Sequence, residues 1–226
     1  MRELIKGWMG EKMTTFGMWL KLDREVYRRV HNVILPARNG TTQIDHVVVS
    51  IYGLFVIETK NMDGWIFGSA EQQTWTQQFF KKKFKFQNPL QQNYRHTRCL
   101  AEFLGINHDL LHSVVFFIGD AQLKTTLPDN VLTEELSGYI KSFTRPVLTP
   151  ARVVEIEDQL QALKAGLTVS RSEHLQSLER RHESVTTCPK CGGELIKRLA
   201  KRGAMAGNAF YGCASYPRCR YTKNVS

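Results

Sequence analysis

Two carboxylates and a lysine within one short segment set the chemistry this chain could do. The segment runs from Gln43 to Lys60: Gln-Ile-Asp-His-Val-Val-Val-Ser-Ile-Tyr-Gly-Leu-Phe-Val-Ile-Glu-Thr-Lys. Two apolar runs flanking a short turn predict a β-hairpin. With Ile51-Tyr52 as the turn, Ser50 faces Gly53, Asp45 falls opposite Glu58, and Gln43 falls opposite Lys60. Side chains alternate along a strand, so the four project from one face. Directly paired Cβ atoms lie roughly 4.5–5.5 Å apart. Carboxylates that close repel unless a cation or a shared proton lies between them. A hard divalent ion, Mg²⁺ or Mn²⁺, suits the pair, with Lys60 one step along the strand. The strands otherwise carry Val, Ile, Leu and Phe on both faces, which predicts burial on both sides. Unpaired charge is costly in such a place, and its presence points to a function.

A second constellation lies near the C-terminus. Cys188-Pro-Lys-Cys191 is followed, after 21 residues, by Cys213-x₅-Cys219. Two close cysteine pairs with a longer insert have zinc-ribbon spacing. Gly192-Gly193 lets the backbone turn its N–H groups toward the sulfurs. A segment of about 40 residues has too little core to fold alone, so bound Zn²⁺ would supply its folding energy. Around the second pair, Phe210, Tyr216 and Tyr221 interleave with Arg218 and Arg220. Such a pattern serves either as a stacking platform for single-stranded bases or as packing around the metal. Cys99 stands alone and reads as a small buried side chain.

These residues need positioning elements. Residues 11–23 predict a helix with Phe16, Trp19, Leu20 and Leu22 as its apolar face. A strand is expected over 25–34, then a turn at Pro36–Gly40, then the hairpin. Short strands follow near Trp65–Gly68, Thr74–Gln78 and Phe84–Phe86, with Trp65 and Trp75 read as core. Asn88-Pro89 opens a helix that runs to about Leu104. Gln92 and His96 share one face of it, and either face the carboxylates or cap a turn. His112–Ile118 predicts a buried strand. Further helices start at Thr149-Pro150 and at Ser170, where Glu173 completes a capping box. His46, on the face opposite Asp45, reads as a core or hydrogen-bonded histidine. The order of elements gives an α/β core.

Composition bounds the partners. The chain has 226 residues and a net charge of +10. From His182 onward there are eight Lys or Arg against two Glu, so the basic excess concentrates in the tail. Such a tail points to a polyanion, most often nucleic acid. Lys81-Lys82-Lys83, between phenylalanines, is either a phosphate-contacting hairpin or a solvated tip. No apolar stretch approaches the ~20 residues of a membrane span, and no secretory h-region opens the chain, so a cytoplasmic protein is expected.

Several motifs in order resemble one family. They are Gly10-Glu11, the hairpin segment through Asn61, Gly64-Trp65-Ile66-x-Gly68, Trp75, and Asn88-Pro89-Leu90-x-Gln92-Asn93-x-x-His96. Together they resemble the nuclease-related (NERD) domain over roughly residues 8–120. The tail, down to Tyr216-Pro217-x-Cys219, is similar to the zinc ribbon of bacterial type IA topoisomerases. The resemblance implies a restriction-endonuclease-like mixed central sheet flanked by helices, with an Asp and a Glu-x-Lys on neighbouring strands. Those would be Asp45 and Glu58-Thr59-Lys60. It implies Mg²⁺ on Asp45, Glu58 and Thr59, with Lys60 orienting or deprotonating water. Glu11, Gln43 and Gln92 would assist, although Glu11 also fits an ordinary early-helix carboxylate. Ile44 stands where the strictest form of the motif has Pro.

The organisation expected is a nuclease-like domain over 1–125, a helical extension and linker over 126–184, and a four-cysteine zinc ribbon over 185–226. The function expected is a Mg²⁺-dependent DNA nuclease in DNA processing or repair, with DNA contacts from Lys81, Lys82, Lys83, Phe210, Tyr216, Arg218, Arg220 and Tyr221. The alternatives are a non-catalytic DNA-binding adaptor and an RNA-directed version.

Overall fold

The computed structural model describes residues 21–37, 40–165, 172–177, 184, 186–188, 193–200, 206–217 and 219–224. The expected first helix, with Glu11, lies outside that set except for 21–23, which are not helical. The chain divides into two compact units, 1–33 with 43–165 and 34–42 with 166–226.

The site-bearing hairpin consists of β2 (Gly40–Ser50) and β3 (Gly53–Asn61), preceded by β1 (Arg28–Ala37). β2 and β3 pair antiparallel with Ser50 opposite Gly53 and His46 opposite Ile57, the register read from the sequence. Gly53 makes the turn possible. Its φ is +119°, and a Cβ there would lie 2.8 Å from the Leu110 carbonyl. Ser50 Oγ accepts from Tyr52 N at 3.1 Å and closes the turn. β3 then pairs in parallel with β7 (Leu111–Ile118), and β7 in parallel with β9 (Val131–Leu132). The central sheet therefore has the order β1-β2-β3-β7-β9.

A second, four-stranded sheet has the order β6-β5-β4-β8. Its strands are β4 (Gly64–Phe67), β5 (Thr74–Phe79), β6 (Lys82–Gln87) and β8 (Ala121–Leu123). One of its faces places Ile66 and Trp75 against Val115 and Phe117 of the central sheet. On the opposite side of the central sheet, Phe55, Ile57, Val114 and Phe116 pack with Leu136 and Ile140 of the short helix α2 (Leu136–Lys141). Two-sided cover explains the long apolar runs of β3 and β7. Trp75 is core as expected. Trp65 is not: it is 45% exposed. Adjacent Ile66 takes the buried face, so strand alternation sends Trp65 outward.

Helix α1 (Pro89–Leu104) starts as read, with Pro89 in its first turn and the Asn88 side chain accepting from Leu90 N. The same Asn88 amide lies within hydrogen-bond distance of the carbonyls of Ser69, Ala70 and Gln72, tying the helix start to the β4–β5 connection. Helix α3 (Pro150–Lys164) has Thr149 as its cap, and buries Val153, Ile156, Leu160 and Leu163 in one stripe. Residues 126–165 thus belong to the first compact unit. Of the helix expected from Ser170, residues 172–177 are helical.

In the second unit, β10 (Leu195–Leu199), β11 (Ala209–Cys213) and β12 (Thr222–Asn224) form an antiparallel sheet. Cys188, Leu195, Cys213 and Cys219 are its small core. Among the described residues, no helix is long and apolar enough to cross a membrane.

Candidate active site

The paired register of β2 and β3 ends at His46–Ile57. One residue further, the Asp45 side chain takes over the role of a strand neighbour. Its Oδ2 accepts from Thr59 N at 3.2 Å and from Thr59 Oγ1 at 3.0 Å. Glu58 lies on β3 and is only 4% exposed. Its Oε1 accepts from Lys60 Nζ at 2.6 Å and from Gln92 Nε2 at 2.8 Å. His96 Nε2 is 3.4 Å from Oε2. Gln92 also accepts from Lys60 Nζ at 3.0 Å.

Helix α1 supplies Gln92 and His96 because Asn93 fixes its orientation. The Asn93 amide nitrogen is 2.8 Å from the Val56 carbonyl and 3.0 Å from that of Val114, so it docks the helix across β3 and β7. Of the two readings of the Gln92–His96 face, the one directed at the carboxylates holds. His96 was not among the expected site residues, and its i, i+4 relation to Gln92 was the signal for it.

The structure joins Glu58, Lys60 and Gln92 by direct hydrogen bonds and holds Asp45 on Thr59, the residue between Glu58 and Lys60. It does not bring Gln43 to them. Gln43 is exposed, and its Nε2 lies 3.5 Å from Asn32 Oδ1, on the side of β1. The expected Gln43–Lys60 pairing extrapolated a ladder that stops before it.

Environment drives the two carboxylates apart. Burial pushes the Asp45 carboxyl up, and the Glu58 charge adds to this against the Thr59 hydrogen bonds and Lys60. Burial also presses Glu58 upward, but His96 and Lys60 outweigh it, and Glu58 lies below the usual range. At neutral pH the Asp45 charge therefore destabilises the fold, and the Glu58 charge stabilises it. Asp45→Asn should raise the metal-free melting temperature, by about 2–4 °C for each 1 kcal/mol relieved. Glu58→Gln should lower it. Two thermal melts in chelator check the opposite signs.

His46 is buried and hydrogen-bonded as read. Its Nδ1 is 2.7 Å from His31 Nδ1, so one ring donates and the other accepts. Burial, then His31, pushes His46 down to about 3, and burial lowers His31 as well. A proton on the accepting nitrogen breaks the bond. Unfolded histidines take that proton near pH 6.5. Stability is thus full above pH 6.5 and should fall by roughly 1.4 kcal/mol per pH unit as the pH drops toward the folded value. Denaturant titrations at pH 7, 6 and 5 should show this slope, reduced in His46→Gln. An unchanged slope in that variant would remove the pair as its source.

In the second unit, the Sγ atoms of Cys188, Cys213 and Cys219 lie within 4.8 Å of one another. Cys188 and Cys219 are 3.7 Å apart. Sulfurs at about 2.3 Å from Zn²⁺ in a tetrahedron sit about 3.8 Å apart, so the cluster fits a zinc ribbon. Cys191 and Arg218 lie outside the described residues. Tyr221 packs with Tyr211 against the cysteines, and Phe210 is half-buried, whereas Tyr216 is 61% exposed and Arg220 is exposed. Lys81, Lys82 and Lys83 are exposed at the β5–β6 hairpin. Cys99 is half-buried, not fully enclosed.

A mixed sheet that carries an Asp and a Glu-x-Lys on neighbouring central strands, followed by a helix that reaches back to the Glu, defines a nuclease-related architecture. The nuclease-related domain (NERD) family matches residues 6–118, half of the chain, and the chain belongs to that family. Residues 185–226 match the topoisomerase DNA binding C4 zinc finger. Among curated proteins, an uncharacterized protein of Bacillus anthracis is 49% identical over 96 residues, 42% of this chain and 45% of its own length. DNA topoisomerase 1 of Archaeoglobus fulgidus is 31% identical over 112 residues, 49% of this chain and 16% of that enzyme. DNA topoisomerase 1 of Methanocaldococcus jannaschii is 47% identical over 39 residues, 17% of this chain and 4% of the enzyme. The chain thus spans less than half the length of each of these relatives. No solved structure matches it.

Proposed function

We propose that this protein is a Mg²⁺-dependent DNA nuclease that hydrolyses phosphodiester bonds. Its cysteine module would hold one Zn²⁺ on Cys188, Cys191, Cys213 and Cys219 and bind DNA. The observation that carries the proposal is the hydrogen-bonded cluster of Glu58, Lys60 and Gln92, with Asp45 held on the intervening Thr59 and within reach of the Glu58 and Lys60 charges. The donor set suits a hard divalent ion, because two carboxylates converge where burial makes their charge costly. Asp45, Glu58 and the Thr59 backbone would hold it. Mg²⁺ held there would supply Lewis-acid polarisation of the phosphate and a bound water of lowered pKa.

The side chains supply the rest. Gln92 and His96 hold the Glu58 carboxylate in place, so its direction is fixed before substrate arrives. Lys60, on a half-buried stem, presents a cation where negative charge grows on the reacting phosphate. The zinc finger family, named for DNA-binding topoisomerase segments, supports DNA over RNA as the polymer.

A labelled DNA incubated with full-length protein tests the reading. Loss of substrate with Mg²⁺ or Mn²⁺ but not Ca²⁺, with RNA of the same sequence intact, is the expected result. DNA bound in chelator yet uncut with every divalent ion would overturn the nuclease and leave the adaptor.

A further inference from the structure

The outward face of the four-stranded sheet has no role in the site described above. Its composition is unusual for a solvent face. The register places Lys83, Gln78, Trp65 and Gln122 in one row across β6, β5, β4 and β8. The next row carries Lys85, Thr76 and Phe67. None of these is acidic. Trp65 is 45% exposed at the centre of the first row. Lys124, just past β8, holds its ammonium 5.0 Å from the Trp65 ring centroid. The opposite face of the same strands is occupied by the core, so these side chains are fixed outward by alternation.

We propose that this face binds a segment of single-stranded DNA, with a base stacked on Trp65 and phosphates on Lys83, Lys85 and Lys124. The proposal rests on the nucleic-acid reading above and deepens it by saying how the substrate strand is held. A large exposed indole among lysines and amides, with no carboxylate in these two rows and with Asp63 and Asp120 confined to the end of the sheet beyond Gly64 and Ala121, matches a polyanion that also presents flat apolar rings. Single strands do so; duplex bases are stacked on each other and closed to the indole. The amides of Gln78 and Gln122 beside Trp65 can meet base edges without demanding one sequence. A stacked base would displace the Lys124 ammonium from the ring, and its flexible stem lets it move to a phosphate. Connectivity links the face to the carboxylates. Trp65 follows Lys60 by five residues, so at most about 18 Å of backbone separates the stacking position from the site.

Binding of a fluorescein-labelled oligo-dT to the full-length protein, in chelator so that nothing is cut, tests this. Trp65→Ala should weaken binding roughly fivefold to a hundredfold, and Trp65→Phe should restore most of it. Lys83→Glu with Lys85→Glu should reduce the slope of log K against log salt by about 1.4, or about 0.7 for each lost phosphate contact. Trp65→Ala should leave the affinity for a blunt duplex nearly unchanged. Wild-type affinity and salt slope in both the alanine variant and the double lysine variant would overturn the platform. So would an equal loss on single strand and duplex. Chelator separates the two readings: a protein that cuts DNA but is blind to these substitutions loses the platform alone. One that responds to them but never cuts loses only the nuclease.

Discussion

Glu58→Ala should abolish DNA cleavage, with a loss of roughly a thousandfold or more in the single-turnover rate, and Asp45→Ala and Lys60→Ala should do the same. The scale follows from groups that act as a unit: removing one member of such a set costs about as much as removing several. The three variants should share the lost activity but differ in stability. Glu58 accepts from Lys60 and Gln92 and lies beside His96, so its removal leaves a half-buried ammonium without its carboxylate. Breaking a buried pair by deleting one partner costs on the order of 3–5 kcal/mol. Glu58→Ala should therefore be clearly destabilised, while Asp45→Ala, which removes a charge that burial disfavours, should not. DNA binding in chelator should survive in all three. Single-turnover assays at saturating protein, with melts on the same samples, separate lost chemistry from lost fold. Wild-type cleavage in all three variants would refute the site.

Cys213→Ser should unfold the second unit's cysteine core and remove the DNA contacts proposed for it. Structural Zn²⁺ contributes roughly 10–16 kcal/mol to modules of this size, far more than the few buried side chains around Leu195 could replace. Metal analysis should find one Zn²⁺ per chain in the wild type and none in the variant. DNA affinity should fall and its salt dependence should flatten, because each lost phosphate contact removes a slope of about 0.7–0.9. Cleavage at saturating DNA should persist, since no cysteine of the cluster belongs to the carboxylate site. A wild-type protein without zinc would end the zinc-ribbon assignment.

The hairpin was legible because turn and alternation together leave one register, and a slip of one residue would send Asp45 to the other face. The point where that ladder stops was not legible. Pairing was extrapolated to Gln43, but the Asp45 side chain competes with the backbone for Thr59 N and ends the ladder. Helix α1 was legible from Asn88-Pro89 and its period. Which of its faces docks depends on Asn93 meeting carbonyls 37 and 21 positions away, which no local pattern encodes. The face of Trp65 was not legible from its type: size and apolarity suggest core, whereas strand parity decides the face. β8, β9 and α2 are too short to show a period at all.

The parallel pairing of β3 with β7 has a kinetic consequence. Leu54 meets Leu111 across 57 residues of chain, and everything between them, including β4 to β6 and α1, must find its place for that pairing to persist. Long-range parallel contacts close late, because the loop entropy precedes the reward. The Asp45–Glu58 hairpin is local and can form early. The helix that orients Glu58 arrives only with the late closure. A folding chain would thus expose its carboxylates long before they are aimed, and competence to cut would coincide with completion of the domain. Refolding followed by hydrogen exchange should show β2 amides protected before those of β7, with cleavage tracking β7. Activity that appears before β7 is protected would reverse this order.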